Sequence, residues 1–335
     1  MSWLAFDIGG ANIKVADGKG YTAAAVFPLW KNSRLLAQEL RTLITESPPC
    51  SHLAITMTGE LADCFATKAE GVKFILQAVK DGSDNRHTRV YLTDGRFVTP
   101  QVAEREPMSA AASNWHALAR FAGRFAPRGP ALLLDVGSTT CDIIPLADGK
   151  PTPRAKTDTT RLIAGELLYT GVERSPCCAI LDQVTYRGQT CPVVQEFFAT
   201  MRDVYIVLDE IPEGADSHTA DGQPASFDAS HRRLGRMIAA DDTEFSPRDT
   251  IDLAQAFADA QKRMLTEAIL KVTRAMPEQP DKIIVSGHGE FLARTALYAT
   301  KHNASIVSLA SELGEKETRC ATAHGLAVLA QEVNS

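Results

Sequence analysis

The segment WLAFDIGGANIKVA, starting at Trp3, constrains the fold more than any other. An apolar strand ends on a carboxylate, Asp7, and passes at once into two adjacent glycines, an asparagine and a lysine. A second copy, LLLDVGSTTCDIIP, starts at Leu132, and its Asp135 follows Asp7 by 128 positions (135 − 7). Both copies continue as a strand into an Asp-Gly-Lys turn, ADGKG in the first half and ADGKP in the second. This weak internal duplication predicts two related halves that face one site.

Glycine lets a backbone approach a ligand closely, and successive N–H groups around such a turn form an anion-binding concavity. A carboxylate beside an anion needs a cation between them. Magnesium, held by one or two carboxylates and water, is the expected one, with Asp7 and Asp135 as its ligands. Lys14 adds a point charge for a phosphate oxygen. Gly9, Gly10 and Asn12 form the first anion loop. Gly137 forms the second with Ser138, Thr139 and Thr140, whose hydroxyls are donors. A third strand-to-helix turn carries Gly287 and Gly289 around His288, which is read as a turn residue.

Strands alternate with helices along both halves, which predicts α/β domains with central sheets. Residues 33–47 place Leu35, Leu36, Leu40, Leu43 and Ile44 on one helical stripe. Helices are also expected at 71–82, 109–125, 250–276 and 320–333. The turn-rich APRGP at 126–130 suggests a boundary, giving one domain over 1–128 and another over 129–335. The second has a helical and loop insertion around 185–250, and the terminal helix is free to pack back on the first.

The chain has 335 residues and a net charge of −6, so no basic surface advertises nucleic acid. No apolar run approaches the ~18 residues needed to span a bilayer. The odd cysteine count of 7 contains no C-x-x-C, and a reduced, cytoplasmic setting is expected. The adjacent Cys177 and Cys178 are read as buried apolar residues.

The patterns D-x-G-x-N-x-K, D-x-G-S-T-x-D-I and a late glycine turn resemble the actin, sugar-kinase and Hsp70 superfamily. FDIGGANIK, TMTGELADCF, EGV, SAAASNWHALA, LLLDVGSTTCDIIP, TDTTRLIAGELLYTGVERSP and DSHTADG together resemble the hydantoinase/oxoprolinase-related proteins of tetrahydromethanopterin-linked one-carbon metabolism. The resemblance implies a two-domain actin-like ATPase fold, ribonuclease H-like in each half, with a cleft between domains. It implies a transferase of methanofuran- or methylofuran-type cofactor assembly. Its substrates would be an aminomethylfuran-methyl diphosphate and a phenolic amine. In many kinases of the superfamily the first loop carries a Ser or Thr hydroxyl; here Ala11-Asn12 stands there. Magnesium without a nucleotide is therefore expected. ATP enters only under the alternatives: a kinase, an amide hydrolase of the hydantoinase type, or a non-catalytic nucleotide-binding protein.

Glu60 in TMTGEL is the candidate base for the phenol, and Glu166 in IAGEL is the second candidate. Thr58, Arg161 and Arg174 are candidate substrate contacts, the arginines for diphosphate or a carboxylate. Asp216, Asp221 and Gly222 match the resemblance without an assigned chemistry, and the oligomeric state is left open.

Overall fold

In a computed structural model, residues 2–333 are described. Strand β1 (Trp3–Ile8) pairs antiparallel with β2 (Asn12–Ala16), which pairs antiparallel with β3 (Thr22–Val26). On its other side β1 runs parallel to β4 (His52–Met57), and β4 parallel to β5 (His87–Tyr91). The short β6 (Phe97–Val98) closes the order β3-β2-β1-β4-β5-β6.

The second sheet repeats this plan. Strand β7 (Pro130–Val136) pairs antiparallel with β8 (Cys141–Ala147), which carries β9 (Lys150–Pro151) and β10 (Leu167–Leu168). Beyond a long excursion, β13 (Lys282–Ser286) returns parallel to β7, and β14 (Ser305–Ser308) parallel to β13. The excursion contains a hairpin of β11 (Gln183–Tyr186) and β12 (Gln189–Pro192).

Every residue of β1 is buried, as a strand covered on both faces must be. On one face Leu4, Phe6 and Ile8 meet Leu36, Leu40, Val72 and Ile75 of the Leu36–Glu46 and Lys68–Gly82 helices. On the other, Trp3 and Ala5 meet Phe121 of the Asn114–Ala122 helix and Leu326 of the terminal Ala321–Val333 helix. The second sheet packs Leu134 and Ile143 against Phe257, Leu265 and Ile269 of the Pro247–Ala275 helix, and Leu133 and Ile144 against Trp115 and Leu118. The Asn114–Ala122 helix thus lies between the two sheets, with its cleft end beside both.

The helix expected over 109–125 is broken. A short helix ends at Ala110, Ala112 takes φ 47°, and a new helix starts at Asn114. Ser113 in the break hydrogen-bonds Thr56 at 2.7 Å, so a tertiary contact overrides the helix preference of the alanines. The break brings Ala112, Asn114 and Trp115 to the cleft wall.

Between 176 and 246 the chain forms the hairpin and helices at Met201–Val207 and Phe227–Arg236. Both carboxylates of the DSHTADG segment are held in ion pairs. Arg202 holds Asp216 through two bonds of 2.7 and 2.6 Å, and the fully buried Arg233 holds Asp203 and Asp221. None of the seven cysteines forms a disulfide. Among the described residues no helix is long and apolar enough to cross a membrane.

Candidate functional site

The two strand–Asp–Gly turns close in the same way. Gly9 N–H donates to the Asn12 carbonyl at 2.9 Å, and Gly137 N–H donates to the Thr140 carbonyl at 2.9 Å. The carbonyls of each turn are drawn backwards. Those of Gly10 and Ala11 accept from Leu29 and Phe27. Those of Gly137 and Ser138 accept from Val172 and from Glu173 and Arg174. The N–H groups of Gly10, Ala11, Ser138, Thr139 and Thr140 find no partner among the described residues. Two sets of free amides are what an anion requires.

Both turns line one cleft of about 570 Å³. Of the candidates named from sequence, the cleft gathers Asp7, Gly9, Gly10, Asn12, Lys14, Thr58, Glu60, Asp135, Gly137, Ser138, Thr139, Thr140, Arg161 and Arg174. Strand pairing explains part of this. Asp7 stands opposite Lys14 on β2, and Asp135 opposite Asp142 on β8.

Three of the candidates lie elsewhere. Glu166 accepts the Arg154 and Ala155 N–H groups at 2.7 and 3.2 Å, which makes it a loop clamp. Gly287 and Gly289 sit behind β7. A Cβ at 287 would fall 2.2 Å from the Val136 carbonyl, and one at 289 would fall 2.4 Å from the Val136 side chain. Their small size serves packing against the strand that carries Asp135. Arg161 is in the wall, but its charge is used there. It pairs with Asp142 at 2.8 Å, donates to the Glu166 carbonyl at 3.0 Å, and lies 4.1 Å over the Trp115 ring.

The carboxyl groups are strained electrostatically. Burial raises Asp7 to about 6; Lys14 opposes this, while Asp135 and Asp142 add to it. Burial also raises Asp135, against the pull of Ser286 and Lys14. Burial raises Asp142 to about 6 despite Arg161. Glu60 is pushed up to about 7 by burial, opposed by the N–H groups of Glu60 and Ala112. Asp7 Oδ1 and Glu60 Oε2 are buried without a hydrogen-bond partner. A cluster of this kind is relieved by a cation or a proton.

Sequence reasoning missed Trp30, Trp115, Asp142 and Asp158, all in the cleft wall. Asp142 did leave a signal: it is the one charged residue of the otherwise apolar, buried strand CDIIPLA. Nothing local marks Trp30. It follows Leu29, which holds the first turn, as Arg174 ends the segment that holds the second, and the two side chains meet at 5.4 Å. A second contact across the cleft, Lys68–Asp158 at 2.6 Å, lies beside Glu60.

Two sheets of one plan, each presenting a glycine turn to a shared cleft, define the actin-like α/β class. Within that class the chain belongs to the hydantoinase/oxoprolinase family, whose model matches residues 52–332. It is 30% identical over 333 residues to the (4-{4-[2-(gamma-L-glutamylamino)ethyl]phenoxymethyl}furan-2-yl)methanamine synthase of Methanocaldococcus jannaschii, covering 98% of this chain and 97% of that one. It is 31% identical over 201 residues to the synthase of the same name from Methanococcus vannielii, covering 59% of this chain and 89% of that one. Among solved structures, an inorganic polyphosphate/ATP-glucomannokinase from an Arthrobacter species aligns over 99% of both chains with a TM-score of 0.45 at 13% identity. Component A of the (R)-2-hydroxyglutaryl-CoA dehydratase of Acidaminococcus fermentans aligns over 100% of both with 0.47 at 11%.

Proposed function

We propose that this chain is a transferase of furan-cofactor assembly that displaces diphosphate from a furfuryl-type carbon with a phenol oxygen. The C–O bond to diphosphate breaks as the phenol C–O bond forms, and the phenol proton leaves to a base. The products are an aryl ether and diphosphate. The reading is carried by the matched pair of turns, whose free amides face one cleft, as a two-phosphate leaving group needs. It is supported by the Methanocaldococcus jannaschii relative, which is named for a product with a phenoxymethyl-furan linkage.

The residues suit a magnesium ion. Asp7 Oδ1 is buried and unpartnered, and Asp7 and Asp135 both stand at the cleft. Among the described residues no three His, Cys, Asp or Glu side chains gather into a ready-made cage. That fits a cation held by one or two carboxylates with water and phosphate oxygens. Asp7 and Asp135 would hold it, and it would neutralise charge on the departing diphosphate. The turn amides and Lys14 stabilise the same charge as it grows, which lowers the barrier. Glu60 is the proton acceptor for the phenol. Ala11 offers no hydroxyl to a further phosphate, in keeping with a reaction that spends no nucleotide.

The test supplies magnesium, a furfuryl-type diphosphate and a phenolic amine without nucleotide, and reads free diphosphate and the ether by mass spectrometry. Both should appear in equal amounts. Product that forms only with ATP, in step with ADP, would overturn the reading.

The Trp30–Arg174 contact gives an optical check. The Arg174 side chain forms no ion pair or hydrogen bond among the described residues and lies over Trp30. A diphosphate spanning both turns competes for its guanidinium, so Trp30 emission should change on titration in a Trp3→Phe, Trp115→Phe background. Arg174→Ala should abolish that change and weaken diphosphate binding by roughly tenfold, the worth of one charged hydrogen bond. An unchanged affinity would remove Arg174 from the diphosphate site.

A further inference from the structure

Two glycines that do not line the cleft stand directly behind its working parts. Gly71 lies in the Lys68–Gly82 helix, where a Cβ would fall 2.3 Å from the Glu60 carbonyl oxygen and 2.7 Å from the Glu60 Cα. Gly171 lies behind the second turn, where a Cβ would fall 2.4 Å from both the Ser138 carbonyl carbon and the Thr139 nitrogen. Neither glycine has a positive φ, so the backbone itself accepts alanine at both places. Glycine inside a helix destabilises relative to alanine, and at 71 only the approach of Glu60 accounts for it.

Neither support is free to retreat. The Lys68–Gly82 helix is capped by Thr67 and buries Val72 and Ile75 next to Gly71. Gly171 is held from both sides: its N–H donates to Ser175 Oγ at 2.9 Å, and its carbonyl accepts from Gln261 Nε2 at 2.9 Å. Gln261 also donates to Thr170 and accepts from the Tyr205 hydroxyl, so the long helix fixes Gly171 through a buried polar network. An added methyl group therefore displaces the site segment and leaves its support in place.

We infer that Gly71 and Gly171 are positioning residues with separate duties: Gly71 sets the carboxyl of Glu60, and Gly171 sets the amides of Ser138, Thr139 and Thr140 that receive the diphosphate. The inference rests on the proposed transferase reading for what each segment does. It adds that base placement and diphosphate binding are adjusted from behind, independently, by two residues that touch no substrate.

The test compares Gly71→Ala, Gly171→Ala and a packing control, Val72→Ala, by calorimetric titration with magnesium and inorganic diphosphate and by kcat against pH. Gly71→Ala should keep the diphosphate Kd within about twofold, lower kcat by about 10²-fold as a displaced catalytic group does, and move the acid limb of the kcat profile. Gly171→Ala should weaken diphosphate by about tenfold or more and leave that limb in place. Val72→Ala should lower the melting temperature with neither signature. Equal loss of both functions in the two glycine variants would overturn the inference. So would a Val72→Ala variant that imitates Gly71→Ala, or a glycine variant that does not fold even in saturating magnesium diphosphate. Failure of the wild-type chain to bind diphosphate at all would instead strike the transferase reading.

Discussion

Asp135→Asn is expected to lower turnover by about 10³-fold, the scale of several kcal/mol of lost charge stabilisation at the leaving group. Asp135 is the penultimate residue of β7 and pairs with Ser286 of β13 and Asp142 of β8, so an isosteric amide keeps the strand contacts. Burial opposes its charge, and Asp7 close by carries the same sign. The charge is therefore unfavourable in the empty protein and useful only when a cation is bound. The variant should melt at or above the wild-type temperature without magnesium and lose the stabilisation that magnesium diphosphate gives the wild type. Asp7→Asn should behave alike. A magnesium titration that does not differ between wild type and variants would take these carboxylates out of the metal site.

Glu60→Gln should depress kcat by roughly 10²–10⁴-fold, the usual contribution of a positioned base, with a smaller change in KM. Glu60 works only when ionised, so wild-type kcat should fall as pH drops through about 7. The stability effect has the opposite sense. A carboxyl raised from 4.5 to about 7 in the folded state keeps its proton there while the unfolded chain has already lost it. Stability from this group is present below pH 4.5 and declines as pH rises to about 7, by on the order of 3 kcal/mol. Glu60→Gln removes that decline, so the inactive variant should be the more stable one at pH 8, with the difference gone at pH 4. Thermal melts at the two pH values check this. A wild-type kcat that stays flat from pH 5 to 8 would sink the base assignment.

The halves of the site were legible because an Asp-Gly turn after an apolar strand leaves a local mark, and the mark occurs twice. What stayed illegible depended on tertiary neighbours. Gly59-Glu60-Leu61 and Gly165-Glu166-Leu167 read alike as sequence. In the fold the first glutamate stands in the cleft wall with an oxygen unsatisfied, and the second is claimed by the Arg154 and Ala155 amides. Glycines posed the same ambiguity. One that admits a ligand, such as Gly10, and one that admits a neighbouring strand, such as Gly287, carry one letter for two causes. The helix expected over 109–125 failed because propensity is a weak prior. The three alanines at 110–112 did not outweigh the position of Ser113 against Thr56.

The Ala321–Val333 helix bears on how the chain is made. It covers the face of the first sheet that carries Trp3, Ala5 and Ala54. During synthesis Ala321 follows Trp3 by 318 positions (321 − 3), on the order of half a minute at ordinary elongation rates. Until then that face is covered only in part, by Ala117 and Phe121 of the Asn114–Ala122 helix, and the rest is exposed to wrong partners. The first sheet is thus fully closed only after the second has been made. A fragment of residues 1–128 made alone should aggregate, and a peptide of residues 321–333 supplied in trans should rescue it.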